Sequence, residues 1–404
     1  MSNQITLTAR QVIALTALMI LAFSGSLGMP FNIDAIATSF GIGNSGAGLV
    51  VSVEMAAIAA GTLLIGVVAS QAPARHIYAV CLSLIVSLNL LSMFVTNVTL
   101  LAVVRVPEGL ALGAVVATVM ATAARSNRPE STFGIINASV GAMGIVIGFV
   151  LPRALHLPDV LPLRTPLAGL YLVYAVFSAS AVVLLRVVPV APPVAIAAGA
   201  EGLRFPPRRW LGLLGVGLLF FGHGLLGIFL VNLGRAIGMS AEVIGYALMI
   251  GAVMGVAAPL LAGQFGTRVP ALWWVTSLSV LIVGVAFLLA SAKSASAFFV
   301  AAPLYGVLPM ALLPVFLGAL ARVETTGRLA SAHPAFILAG GAIAPFVGGA
   351  LSDAGGYLAN ASGVVTCVVL GTALMWSDLC KSDALRAGAG PGLSVASSQA
   401  QSAQ

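Results

Sequence analysis

Long stretches without Asp, Glu, Lys or Arg constrain this chain more than anything else in it. Gln11–Met29, Ile77–Val104 and Val269–Ser291 carry no such residue. Each reaches or exceeds the roughly 20 apolar residues that cross a bilayer as a helix. In hydrocarbon the backbone must satisfy its own hydrogen bonds, so runs of this kind are helical. Composition agrees: 60% of the 404 residues are hydrophobic and 7% charged, with a mean hydropathy of +1.11. A soluble domain carries about 25% charged residues, so most of this surface faces lipid.

The first apolar run continues past Ser24–Gly28 to about Ala37 and many further runs follow, so it reads as a first span, not a cleaved leader. Cutting at charged or Pro/Gly-rich breaks predicts twelve spans: 11–38, 45–70, 76–96, 99–124, 133–152, 167–188, 210–232, 243–263, 270–291, 297–320, 334–351 and 359–377. The fold class is therefore an all-α integral membrane protein of twelve transmembrane helices in two pseudo-symmetric six-helix bundles. Residues 1–188 form the first half and 210–377 the second. A Pro- and Ala-rich linker, 189–209, joins them, and a tail without apolar period, 378–404, reads as disordered. Basic residues set the orientation. With the amino terminus inside, 13 of the 18 Lys and Arg fall on the cytoplasmic side, 4 on the outer side, and Arg105 lies within a span. Both termini are expected in the cytoplasm, and the net charge of +7 calls for no nucleic-acid partner. The Arg-rich usage, 16 Arg to 2 Lys, points to a GC-rich bacterial source and hence an inner membrane.

The halves repeat each other. Gly141-Ala142 and Gly148 recur as Gly341-Ala342 and Gly348, and Ser70–Arg75 parallels Gly263–Arg268. Paired repeats place a substrate site at their interface, near the bilayer midplane.

On these residues the chain resembles the major facilitator superfamily over essentially its whole length. Leu101-x3-Arg105-x2-Glu108-Gly109 looks like the family's fourth-helix arginine motif, with Glu where Gln is commoner. Gly340-x3-Ala344-Pro345-x2-Gly348-Gly349 looks like the Gly-Pro motif that family exporters carry in the fifth helix, here in the eleventh. Ile145 stands in the fifth helix where Pro345 stands in the eleventh, which weakens an antiporter assignment. Ser70 replaces an acidic residue in a loop that latches the family's halves by ion pairing, which implies looser gating. The resemblance implies a secondary transporter that works by rocking of its halves.

Ionisable side chains inside spans are costly and therefore mark function. Arg105 and Glu108, three apart, share a helix face, as an internal ion pair or as residues of substrate binding or proton coupling, two readings that a pair broken by protonation would reconcile. Glu54, with no charge near it in sequence, must face the bundle interior or a partner such as Arg105, where a desolvated carboxyl can carry a proton. Asp34 lies near the outer end of the first span, either coupled or simply solvated. His223 sits mid-way along the seventh span, which the family resemblance makes cavity-lining. Tyr305 and Asn232 are weaker candidates. Glu130, Asp159, Glu201, Glu242, Glu324, Asp353, Asp378 and Asp383 read as solvated, and Cys81, Cys367 and Cys380 as filler.

No phosphate-binding Gly-x4-Gly-Lys-[Ser/Thr] loop is present, no metal or cofactor is expected, and the four histidines are too scattered for an enzyme. The expectation is a monomeric, proton-coupled carrier of a small molecule in the lipid bilayer, with export of a drug or metabolite preferred. Import of an organic anion or vitamin-like nutrient is the alternative, and a scaffold or enzyme a distant one.

Overall fold

Helices begin where local chemistry starts them. In the computed structural model, which describes residues 5–68, 72–189, 210–265, 268–324 and 328–388, Thr8 opens helix α1 (Ala9–Leu27) with a reciprocal capping box to Gln11. Gly28 then breaks the first span. Helix α2 (Met29–Phe40) restarts with Pro30 in its first turn, where a missing N–H costs nothing, and ends at Gly41 in the left-handed region. The second span is α3 (Asn44–Val68) and the third α4 (Ala74–Ser92). Asn97 caps α5 (Val98–Ala124), and α6 (Pro129–Ala154) follows. Thr165 caps α7 (Pro166–Val182), the sixth span.

The seventh span is also broken, into α8 (Leu211–Gly227) and α9 (Leu230–Ala236). After it come α10 (Ala241–Phe265), α11 (Ala271–Ala290) and α12 (Ala295–Val323), the last capped by Ser294. Helix α13 (Arg328–Gly388) is two arms joined at Gly355 and Gly356, whose φ of +65° only glycine adopts without strain. Among the described residues eleven helices are long and apolar enough to span, and the two arms of the last bring the spans to twelve. No strand occurs among the described residues; one parallel bridge ties Ile5 to Ser126.

Across the two halves of the chain, α3 packs on α13 and α6 on α10. These are the second span on the eleventh and the fifth on the eighth, pairs that a repeated six-span unit relates. Small residues permit the approach. A Cβ on Gly48 would run into the carbonyl of Pro345, one on Gly349 into the backbone of Asn44, and one on Gly148 would lie 2.9 Å from the Gly245 carbonyl. These contacts lie in the middle of the bundle and toward the end opposite the amino terminus, called here the far end.

Two expectations are corrected. The chain beyond Asp378 is not without structure: α13 continues to Gly388, and residues 389–404 lie outside the described residues. Nor do all the acids expected as solvated stand in open water: Glu324 and Asp378 are buried and Asp383 is half-buried, whereas Asp353 is exposed as expected. Asp383 accepts from the N–H groups of Ala271 (2.8 Å) and Leu272 (3.0 Å), so it caps α11, and this is what docks the helical extension. Asp353 caps α3, as described below. Asp159 and Glu242 remain partly exposed. The linker 190–209, Ser70 and the side chain of Glu130 lie outside the described residues.

Candidate functional site

Three polar or open regions stand out, and they are separate. The first lies wholly within the first six spans. Arg105 on α5 is buried and ion-pairs with Glu108 one turn on. Its Nη2 donates to Ser92 Oγ at 2.8 Å, and its guanidinium lies 4.4 Å from the Tyr171 ring centroid, a cation–π contact. Asn89 donates to Glu108 Oε1 at 2.7 Å. Glu54 reaches the same space from α3. All of these except Ser92 line a cavity of about 20 Å³ that Tyr174 and Asn32 also line, room for about one water. Arg105 Nε and Asn89 Oδ1 are buried there without a protein partner.

Glu54, expected to face the bundle interior or a partner such as Arg105, is buried and lines the same cavity as Arg105. Sequence reasoning missed Asn89, Ser92, Tyr171 and Tyr174. Asn89, a polar side chain in an uncharged span, was the signal available; tyrosines and serines are too common in spans to serve. One guanidinium faces two carboxyls. Arginine keeps its charge in proteins, so the group is electrically neutral when the carboxyls share one proton, net negative when they hold none and net positive when they hold two.

The second region is a set of bonds between the halves at the far end. Asp34 on α2 is buried and accepts from Arg235 Nε on α9 at 2.8 Å. It is therefore neither a solvated mouth residue nor a member of the Arg105 cluster. Asn44 Oδ1 accepts from Asn232 at 3.0 Å, and its amide donates to Ser352 at 3.0 Å. Asp353 accepts from the N–H groups of Asn44 (3.0 Å) and Ser45 (2.8 Å). On the surface His156 lies 3.0 Å from Glu242 and 3.2 Å from Asp159.

The third region is a crevice of about 300 Å³ lined from both halves, by Leu27, Phe31 and α6 on one side and by α9, α10 and α12 on the other. No lining side chain is polar. His223 and Tyr305 do not line it: their rings stack at 4.5 Å, and Tyr305 donates to the His223 carbonyl at 2.9 Å. No group of His, Cys, Asp and Glu suited to a metal occurs among the described residues.

Apolar spans in two sets, joined by paired packing and enclosing a crevice, define a multi-pass membrane protein of the carrier kind. Comparison makes the class specific. A sequence model described as the Major Facilitator Superfamily matches residues 13–217, and the chain belongs to that family, as a transporter and not an enzyme. The solved nucleoside transporter NupG has the same fold, with a TM-score of 0.70 at 15% identity over 92% of this chain and 98% of that one. A bacterial homologue of the human lysosomal transporter Spinster, in an inward-facing and unoccupied conformation, gives 0.63 at 15% identity over 93% and 96%. No curated protein sequence matches the chain.

Proposed function

We propose that the protein is a proton-coupled secondary transporter of a small organic molecule, running in the direction of export. The buried group of Arg105, Glu54 and Glu108 carries this reading. Two carboxyls around one permanent cation, all three side chains buried among the first six spans, hold a single proton with no net charge. Isolated ions in such a place would each cost several kcal/mol. Asp34 is assigned to gating through Arg235, and His223 to packing against Tyr305 in the wall of the second half.

The positive-inside count supports both termini in the cytoplasm of a bacterial inner membrane, so that the far end opens outward. The far-end bonds then describe a carrier closed toward the outside. Import of an organic anion is the second reading, and it is the less supported one because Arg105 pairs with Glu108 and Ser92 inside one half and lines no surface shared by the two. The test starts with a deletion strain grown on panels of toxic compounds and sole nutrients. Hypersensitivity identifies an exported compound, and loss of growth an imported one. With that compound, Glu54→Gln and Glu108→Gln proteins are assayed for flux driven by a pH gradient in proteoliposomes. Loss of gradient-driven flux with counterflow retained is expected; full flux in both variants refutes the proton assignment.

A further inference from the structure

The crevice between the halves carries chemical information that the charged cluster does not. Six of the residues lining it are glycines: Gly141, Gly144, Gly148, Gly251, Gly255 and Gly306. Those on α6 bring it against α10, where a Cβ on Gly144 would lie 3.0 Å from that of Ala252 and one on Gly141 3.2 Å from Val256. Gly255 and Gly306 differ: a Cβ on either would meet nothing within 4 Å. The helices touch along one wall and stand apart at the other, which leaves about 300 Å³, the lower bound of small-molecule sites.

From the absence of any charged or hydrogen-bonding side chain in this lining, we infer that the transported molecule is uncharged and largely apolar, and that it binds here. A charged ligand would leave water without a partner in the crevice. A nucleoside, with several hydroxyls and ring nitrogens, would leave most of them unsatisfied. The occupant is a compact neutral molecule, of the size of a two-ring aromatic. Proton and cargo thus bind at separate places, the proton inside one half and the cargo between the two. This inference rests on the transport reading but concerns binding alone.

Three size-matched probes test it: 2-acetylnaphthalene (neutral), 2-naphthoate (anionic) and 2-naphthylmethylammonium (cationic), titrated against the full-length protein in nanodiscs, with empty nanodiscs as blank. Saturable binding in excess of the blank is expected for the neutral probe only. Gly306→Leu and Gly255→Leu fill the open wall and should weaken that binding at least about tenfold, as overpacking a cavity implies. Gly284→Leu, where a Cβ also meets nothing within 4 Å but on the exposed side of α11, should leave it unchanged, and elution as a single monodisperse peak checks that each variant folds. Binding of a charged probe in preference, binding of none of the three, or neutral-probe binding indifferent to both crevice substitutions overturns the inference. Neutral-probe binding with no gradient-driven flux of any compound would instead refute the transport reading and leave the site standing.

Discussion

Substituting Asp353 tests whether the far-end bonds hold the halves together. Its carboxylate accepts from the N–H groups of Asn44 and Ser45, two of the donors that a helix N terminus leaves without intrahelical partners. The donors belong to α3 in the first half and the acceptor to α13 in the second, so the cap exists only while the far end is closed. A side-chain cap contributes about 0.5–2 kcal/mol, and a negative charge at a helix N terminus about 0.3–1 kcal/mol more. Asp353→Ala should therefore weaken far-end closure by about 1–2.5 kcal/mol, or roughly 5- to 60-fold in the closed-to-open ratio. Asp353→Asn keeps one acceptor and loses the charge, for about 0.3–1 kcal/mol. The exposed His156–Glu242 contact, at about 0–1 kcal/mol, is the weaker lever.

Spin labels on Thr96 and Lys293, exposed in far-end loops of the two halves, report the opening by pulsed dipolar spectroscopy. The exposed Cys380 is first replaced by Ser, while Cys81 and Cys367 are buried. If the open form begins at about 1%, within the ordinary range for a minor state, the alanine variant lifts it to roughly 5–40%, with asparagine between it and the parent. An unchanged distance distribution in Asp353→Ala, or a larger effect from asparagine than from alanine, refutes the reasoning.

Other substitutions probe the same parts. Gly48→Ala places a methyl against the Pro345 carbonyl, so it should favour the open far end in the same spectroscopic assay without lowering the thermal stability of the protein. Arg105→Met leaves Glu54 and Glu108 buried without their cation and should cost about 3–5 kcal/mol, read as a lowered unfolding midpoint by tryptophan fluorescence. The double variant Arg105→Met/Glu108→Leu should recover part of that midpoint and none of the gradient-driven flux; recovery of both would remove Arg105 from the mechanism.

The spans were legible because hydrocarbon leaves a backbone few options, and an uncharged run of twenty residues has little else to become. Glu54, Arg105 and Glu108 were legible for the related reason that charge inside such a run needs a cause. The partners were not. Arg235 sits next to a turn and looks like any basic loop residue, until the approach of α9 to α2 puts it on Asp34. The caps made by Asp353 and Asp383 were hidden for the same reason: each acts on a helix far away in sequence, α3 and α11, and a cap contributed from a distance leaves no local pattern. The crevice was invisible because it is made of side chains that are missing, and glycines in a glycine-rich chain do not announce which of them face open space.

If proton and cargo bind apart, something must connect them, and the broken first span is the element that touches all three regions. Ser24 and Gly25 line the polar cavity, Leu27 and Phe31 the crevice, and Asp34 makes the far-end ion pair. The break at Gly28 is held from two sides. Asn32 donates back across it to the Gly25 carbonyl at 3.2 Å and accepts from Tyr174 at 2.9 Å, and a Cβ on Gly28 would collide with the Tyr174 hydroxyl and with Leu151. Tyr174 also lines the polar cavity, so its hydroxyl is where a change of charge there meets the joint. Tyr174→Phe removes one buried hydrogen bond, a loss of about 0.5–1.5 kcal/mol, too little to unfold the bundle and enough to loosen the joint several-fold. Gradient-driven flux should fall several-fold, while the affinity for 2-acetylnaphthalene stays within about twofold, since Tyr174 is absent from the crevice lining. Unchanged flux would show that the joint transmits nothing, and a parallel loss of probe binding would show that the two sites are not separate.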